Sequence, residues 1–207
     1  MLLAATLFSV NGSVSKAVLS GTLTSVQLVS LRCLGASALF VAVALARRPA
    51  SLRIGRREFA FVATYGVIGV AMVQWLYFVS ITRMPVSVTL LIEFTAPLLI
   101  ALWVRFVRRE PVRRRIWVSL VLTLTGLALV AQVWSGLTLD ALGLTTSIGA
   151  AVALACHYLL GERGVSRRDP WSLAAWSFGV AGLFWAIVSP PWTIPFGRLA
   201  EPLPLGH

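Results

Sequence analysis

Glu93 is a carboxylate set in an apolar run, and Pro97 follows it four residues later. Proline has no N–H, so in a helix the carbonyl of residue 93 loses its partner four positions on. Carboxylate and freed carbonyl would then lie at one point on a kinked helix. Such a point could bind an ammonium group, carry a proton or, with Pro97, act as a gating hinge. Thr89, Glu93 and Pro97 are spaced four apart and share a helix face. Asn11, Arg32 and Gln74 stand in three other apolar runs, and His157 stands in a further one beside Tyr158. An arginine and a carboxylate buried in facing helices either pair, holding the helices in register, or line a transport pathway. His157 reads first as a hydrogen bonder between packed helices and second as a weaker station on that pathway.

Catalysis would need more. No second carboxylate neighbours Glu93, and His157 has no nucleophile–base partner in sequence, so an enzyme is not expected. Cys33 and Cys156 lie in apolar runs with no CxxC or zinc spacing, which leaves no metal or cofactor site and reads both as small buried hydrophobes. A retinal protein needs a Schiff-base lysine, and residues 171–189 contain none.

The elements that must position these residues are membrane helices. Hydrophobic residues make up 58% of the 207, charged residues only 12%, and the mean hydropathy is +0.86. A bilayer core takes roughly 20 apolar residues per helix. Seven runs qualify: 2–20, 25–46, 59–81, 86–107, 116–133, 142–161 and 171–189. Each is continuously apolar rather than alternating, which predicts an all-α polytopic bundle and not a barrel. The net charge of +11 invites a nucleic-acid reading, but most arginines crowd into every second link: Arg47, Arg48, Arg53, Arg56 and Arg57; then Arg105, Arg108, Arg109 and Arg113–Arg115; then Arg163, Arg167 and Arg168. The alternating links hold one arginine, Arg83. Basic short loops stay cytoplasmic and face anionic lipid, so the partner implied is membrane lipid and not nucleic acid. The amino end is expected inside and the carboxyl end outside.

Direction converts position into depth. At ~1.5 Å per residue from the outer end of each run, Arg32, Gln74 and Glu93 lie ~10 Å down and Asn11 ~13 Å. Four helices thus place polar groups in one layer. A weak repeat at an offset of 144 residues sets Gly35, Leu39 and Phe40 on Gly179, Leu183 and Phe184. The matching units run in opposite directions, the inverted plan of many secondary transporters. Gly66, Gly69, Gly179 and Gly182 are expected to permit close helix contact. The first copy covers 1–134 with five helices. The second covers 141–189 with two, followed by a proline-rich stretch at 190–207 that cannot span a membrane. About three helices are therefore expected to be missing, as in a fragment, or to be supplied by a partner chain or a second copy.

Asn11-Gly12-Ser13, Leu31-Arg32, Leu91-Ile92-Glu93-Phe94-Thr95-Ala96-Pro97-Leu98, Arg109-Glu110-Pro111 and Gly126 together resemble the EamA family of the drug/metabolite transporter superfamily. The Ile-Glu-Phe-Thr-Ala-Pro stretch is most similar to its threonine/homoserine-exporter branch. The resemblance implies ten helices in two inverted five-helix repeats, exporting amino acids, related metabolites or drugs. The substrate expected is a small molecule of that kind, moved by alternating access in the cell membrane. Cysteines introduced by Arg53→Cys and Arg114→Cys should be labelled by an impermeant maleimide from the same, cytoplasmic side; labelling from opposite sides would undo the depth assignment.

Overall fold

A computed structural model describes residues 14–15, 19, 23–47, 49–131 and 140–190. The run at 2–20, and Asn11 with it, lies outside the described residues apart from Val14, Ser15 and Leu19. The described residues are helical, without strands, and hold six helices long and apolar enough to cross a membrane. The seventh crossing expected from the sequence falls on that outlying run.

Helix α1 spans Ser25–Arg47 and a 3-10 turn follows at Pro49–Leu52. The next crossing, Arg56–Arg83, is one rod in three parts: α2 (Arg56–Thr64), a π-helical stretch (Tyr65–Met72) and α3 (Val73–Arg83). The crossing Val86–Phe106 is split into α4 (Val86–Glu93) and α5 (Ala96–Phe106). Then come α6 (Arg114–Ala131), α7 (Ala141–Val165) and α8 (Pro170–Val188). Local chemistry sets these boundaries. Asp140 caps α7 by accepting from Gly143 N at 2.8 Å, and Asp169 caps α8 by accepting from Trp171 N and Ser172 N. Pro170 and Pro97 sit in first turns, where no helical N–H is lost. The split before α5 falls at Phe94–Thr95, and the Thr95 hydroxyl donates to Ile92 O at 2.6 Å across it.

Helices α1 and α8 pack antiparallel. Arg47, at the end of α1, lies over the Trp171 ring at the start of α8, while Leu34 meets Gly182 nearer the other end. Ser37 Oγ donates to Ala175 O at 3.1 Å between them. The rod packs on α7 and α8, closely enough that a Cβ at Gly66 would stand 2.7 Å from Ser177 O. Trp185 Nε1 donates to Ala71 O, in the π-helical stretch. Buried Val29, Cys33, Phe78, Ile81, Ala181 and Trp185 form the core these elements share. Helix α6 lies at the periphery, with Ala131 its one buried residue.

Polar ties close both ends. Arg168 pairs with Glu58 at 2.6 Å and Arg108 with Glu162 at 4.0 Å, so the three basic links gather at one end of the bundle, as their charge pattern requires. At the opposite end Arg83 faces Asp140 at 3.7 Å. Near it, buried Ser80 meets Thr89 Oγ1 at 2.9 Å, contacts Ser147 Oγ and donates to Gly143 O at 3.1 Å, tying α3, α4 and α7. The close approach at Gly66 yields a direct expectation. Gly66→Ala should destabilise the protein by about 1–3 kcal/mol through overpacking, visible as a lower Tm in detergent. Gly126→Ala, with open space around its Cβ, should be neutral or slightly stabilising.

Candidate functional site

A cavity of about 440 Å3 opens between the rod, α1, α4, α7 and α8. Its polar walls are Arg32, Gln74, Tyr77, Glu93, His157 and Tyr158, set among apolar side chains. Arg32, Gln74 and Glu93, expected at one depth from three helices, do meet here, and His157 joins them from α7.

Arg32 is held from several sides. Its Nε donates to Gln74 Oε1 at 3.3 Å, one terminal nitrogen donates to Ser15 Oγ at 3.5 Å, and its guanidinium lies 5.4 Å from the centroid of Phe78. Gln74 in turn donates to Cys33 Sγ at 3.4 Å, which fixes its amide orientation. The direct Arg32–Glu93 pair, one of the two arrangements the sequence allowed, is not formed; the ion pairs among described residues are Arg168–Glu58, Arg108–Glu162 and Arg83–Asp140. The reason is local: Gln74 offers an uncharged acceptor on α3, and the Phe78 face receives the cation. Glu93 is 8% exposed and makes no hydrogen bond or ion pair with a described residue. It ends α4, immediately before the split, so its carboxylate sits where the backbone is least continuous.

His157 is placed by the π-helical stretch. Its ring stacks on Tyr65 at 5.2 Å between centroids and shares a 3.4 Å hydrogen bond with the Tyr65 hydroxyl. A π turn inserts a residue and rotates the faces that follow. Gly69 in that turn lets α7 close in, since a Cβ there would be 3.3 Å from His157 Cα. Tyr65, Tyr77 and the π turn were missed by sequence reasoning; the available signal was Tyr65-Gly66 and Gly69 in mid-span. Two other expected residues lie elsewhere. Thr89 is fully buried in the Ser80 cluster, one turn from Glu93 but outside the cavity wall. Pro97 is exposed and borders a separate groove beside Arg115, Ser119 and Thr123. Asn11 lies outside the described residues.

The EamA-like transporter family profile matches residues 1–132. The chain belongs to the EamA-like transporter family. Among curated relatives, the threonine/homoserine exporter RhtA of Escherichia coli (strain K12) is 28% identical over 161 residues, covering 77% of this chain and 49% of that protein. The threonine/homoserine exporter RhtA of Salmonella typhimurium (strain LT2) is 29% identical over 138 residues, covering 66% and 44%. The chain thus spans about half the length of the curated relatives it matches. A solved crystal structure aligns with 91% of this chain and 69% of its own at a TM-score of 0.64 and 21% identity, which shows a shared fold. Family membership and six apolar helices make this EamA-family chain a membrane protein related to transporters.

The clasp on Arg32 is testable by itself. Gln74→Leu removes an acceptor from a part-buried guanidinium and should cost about 1–3 kcal/mol, read as a lower Tm in detergent. Gln74→Glu keeps the acceptor and should hold the Tm near wild type.

Proposed function

We propose that this protein is a multi-pass secondary transporter of the cell membrane that exports small amino-acid-like metabolites by alternating access. One observation carries the reading: a guanidinium and a carboxyl side chain, Arg32 and Glu93, face one cavity of about 440 Å3 inside the apolar bundle. Ionisable groups in spans mark substrate or ion pathways. A zwitterion offers a carboxylate to Arg32 and an ammonium to Glu93, with the apolar walls enclosing its side chain. The relatives named as threonine/homoserine exporters support the same substrate class.

Alternation, on this reading, rocks one repeat against another around the cavity. Residues 1–134 form the first five-helix repeat and 141–189 two helices of an inverted second, while the proline-rich stretch after 190 lies outside the described residues. The antiparallel packing of α1 on α8 supports that assignment, because the 144-residue offset makes these two helices equivalents. The split at Phe94–Thr95, beside Pro97, is the hinge next to Glu93. The basic end and the amino terminus face the cytoplasm, and the chain's carboxyl end faces outward.

A second reading is a non-transporting or partner-dependent subunit, completed by a second copy or another chain. It is favoured by α6, whose apolar side chains Val121, Leu122 and Val130 are all more than half exposed. An efflux assay on cells loaded with threonine or homoserine tests the leading reading. Glu93→Gln should reduce export at least tenfold with unchanged membrane abundance, and Arg32→Gln should do the same. Normal export by Glu93→Gln removes the carboxylate from the mechanism.

A further inference from the structure

A second cavity, of about 410 Å3, lies at the basic end between the start of α2 and the α7–α8 link. Arg57, Arg167 and Arg168 line it together with a single carboxylate, Glu58, and its floor is apolar, including Phe61 and Leu173. Three cations against one anion leave the cavity strongly positive.

Arg168 anchors the site. Its side chain is 7% exposed and is fixed on every edge: one terminal nitrogen on Glu58 at 2.6 Å, the other on the carbonyls of Ser51 and Arg53, and Nε on Ser172 Oγ at 2.8 Å. Ser172 Oγ also donates to Ser51 O at 2.6 Å, and Trp176 Nε1 donates to Leu52 O at 3.0 Å, so the frame holding Arg168 is rigid. Arg57 and Arg167 differ. They are exposed, come from α2 and from the α7–α8 link, and make no ion pair with a described residue. Helix α2 also begins here, and its preceding residue, Gly55, supplies no side-chain cap, which leaves first-turn N–H groups directed toward the same end.

A fixed cation, two exposed guanidiniums and a helix start beside apolar side chains match an amphiphile with a phosphate head. Guanidinium forks bind phosphate oxygens in pairs, and basic pockets between membrane helices take anionic headgroups. We propose that this basic-end cavity is a phosphate-binding site occupied by the headgroup of an anionic lipid, with Phe61 and Leu173 receiving the start of an acyl chain. A phosphate placed there faces Arg168 in competition with Glu58. Lipid binding would therefore act on the contact that ties the α1–α2 link to α8. The inference stands independently of which solute crosses the membrane.

The test is calorimetric titration of the full chain in neutral detergent with three probes: short-chain phosphatidylglycerol, short-chain phosphatidylcholine and inorganic phosphate. Phosphatidylglycerol should saturate one site, and the pair Arg57→Gln/Arg167→Gln should weaken it at least fivefold. The pair Arg113→Gln/Arg114→Gln removes the same charge from the same end outside the cavity and should leave the affinity unchanged. Phosphatidylcholine, whose choline offsets its phosphate, should not compete. Inorganic phosphate saturating the site with the same dependence on Arg57 and Arg167 would uphold the phosphate chemistry and assign free phosphate as its source. Equal losses in both double variants, equal binding of phosphatidylcholine, or no saturable binding by any probe would overturn the site. All the substituted arginines are exposed, and an unchanged Tm in each variant confirms that folding is not what is read.

Discussion

A hydrocarbon interior offers no water to a stranded N–H or hydroxyl, so each polar group in a span must find its partner within the protein. That constraint decides which way the helices of this chain turn. Arg32 is directed to Gln74, Ser15 and the Phe78 face. Ser80 gathers Thr89, Ser147 and the Gly143 carbonyl. The indole of Trp185 is met by Ala71 O. Once those side chains point inward, the opposite faces, such as Leu39, Leu183 and Ile187, are left to lipid. The bundle is therefore oriented by its few polar residues and held close by its small ones, Gly66 and Gly182 among them.

The parts of this arrangement legible in the sequence are those set by periodicity and charge counting. Run lengths located the described helices to within a few residues at each end, and alternating arginine density predicted that the links around Arg53, Arg108 and Arg168 would share an end. Counting residues from the opposite, outer end placed Arg32, Gln74 and Glu93 at one depth, and they do line one cavity. Rotation about each helix axis was less legible. Thr89 shares a face with Glu93, yet Ser80 on the neighbouring helix captures it, and that competitor is visible only once α3 and α4 are side by side. The Arg32–Glu93 pair failed for the same reason, since an uncharged amide stood closer. The π turn was hidden because hydrophobic spacing cannot distinguish a fourth from a fifth residue in a stretch apolar on all sides. His157, placed by that turn, lines the same cavity although counting did not assign it to the polar layer.

The two ends of the bundle are fastened by different chemistry. At the basic end the ties are charged and reach across more than a hundred residues of sequence: Arg168 joins the start of α8 to Ser51, Arg53 and Glu58. At the other end the ties are mainly neutral hydroxyls, with a longer and half-exposed Arg83–Asp140 contact beside them. Glu58, Arg108 and Glu162 reach the aqueous rim, where water or ions can take a partner's place because the dielectric is high, whereas Arg168 is enclosed at 7% exposure. Hydroxyls buried at 0% exposure have no such substitute. The hydroxyl cluster thus ties α3, α4 and α7 together without a charge.

The separation of Arg32 from Glu93 bears on what the cavity can accept. A well-made buried ion pair is already neutralised, and a solute entering between its members would have to replace an interaction worth several kcal/mol to each. Here Arg32 is held by an amide, a hydroxyl and a ring, and it forms no ion pair with Glu93. Glu93, enclosed and without such contacts, keeps an acceptor directed into the same space. On the proposed function, a solute of opposed charges would engage Arg32 at one end and Glu93 at the other. On that reading the two residues must lie near one another but not in contact. Gln74 enforces that geometry by holding the guanidinium at 3.3 Å while Cys33 fixes the amide that holds it.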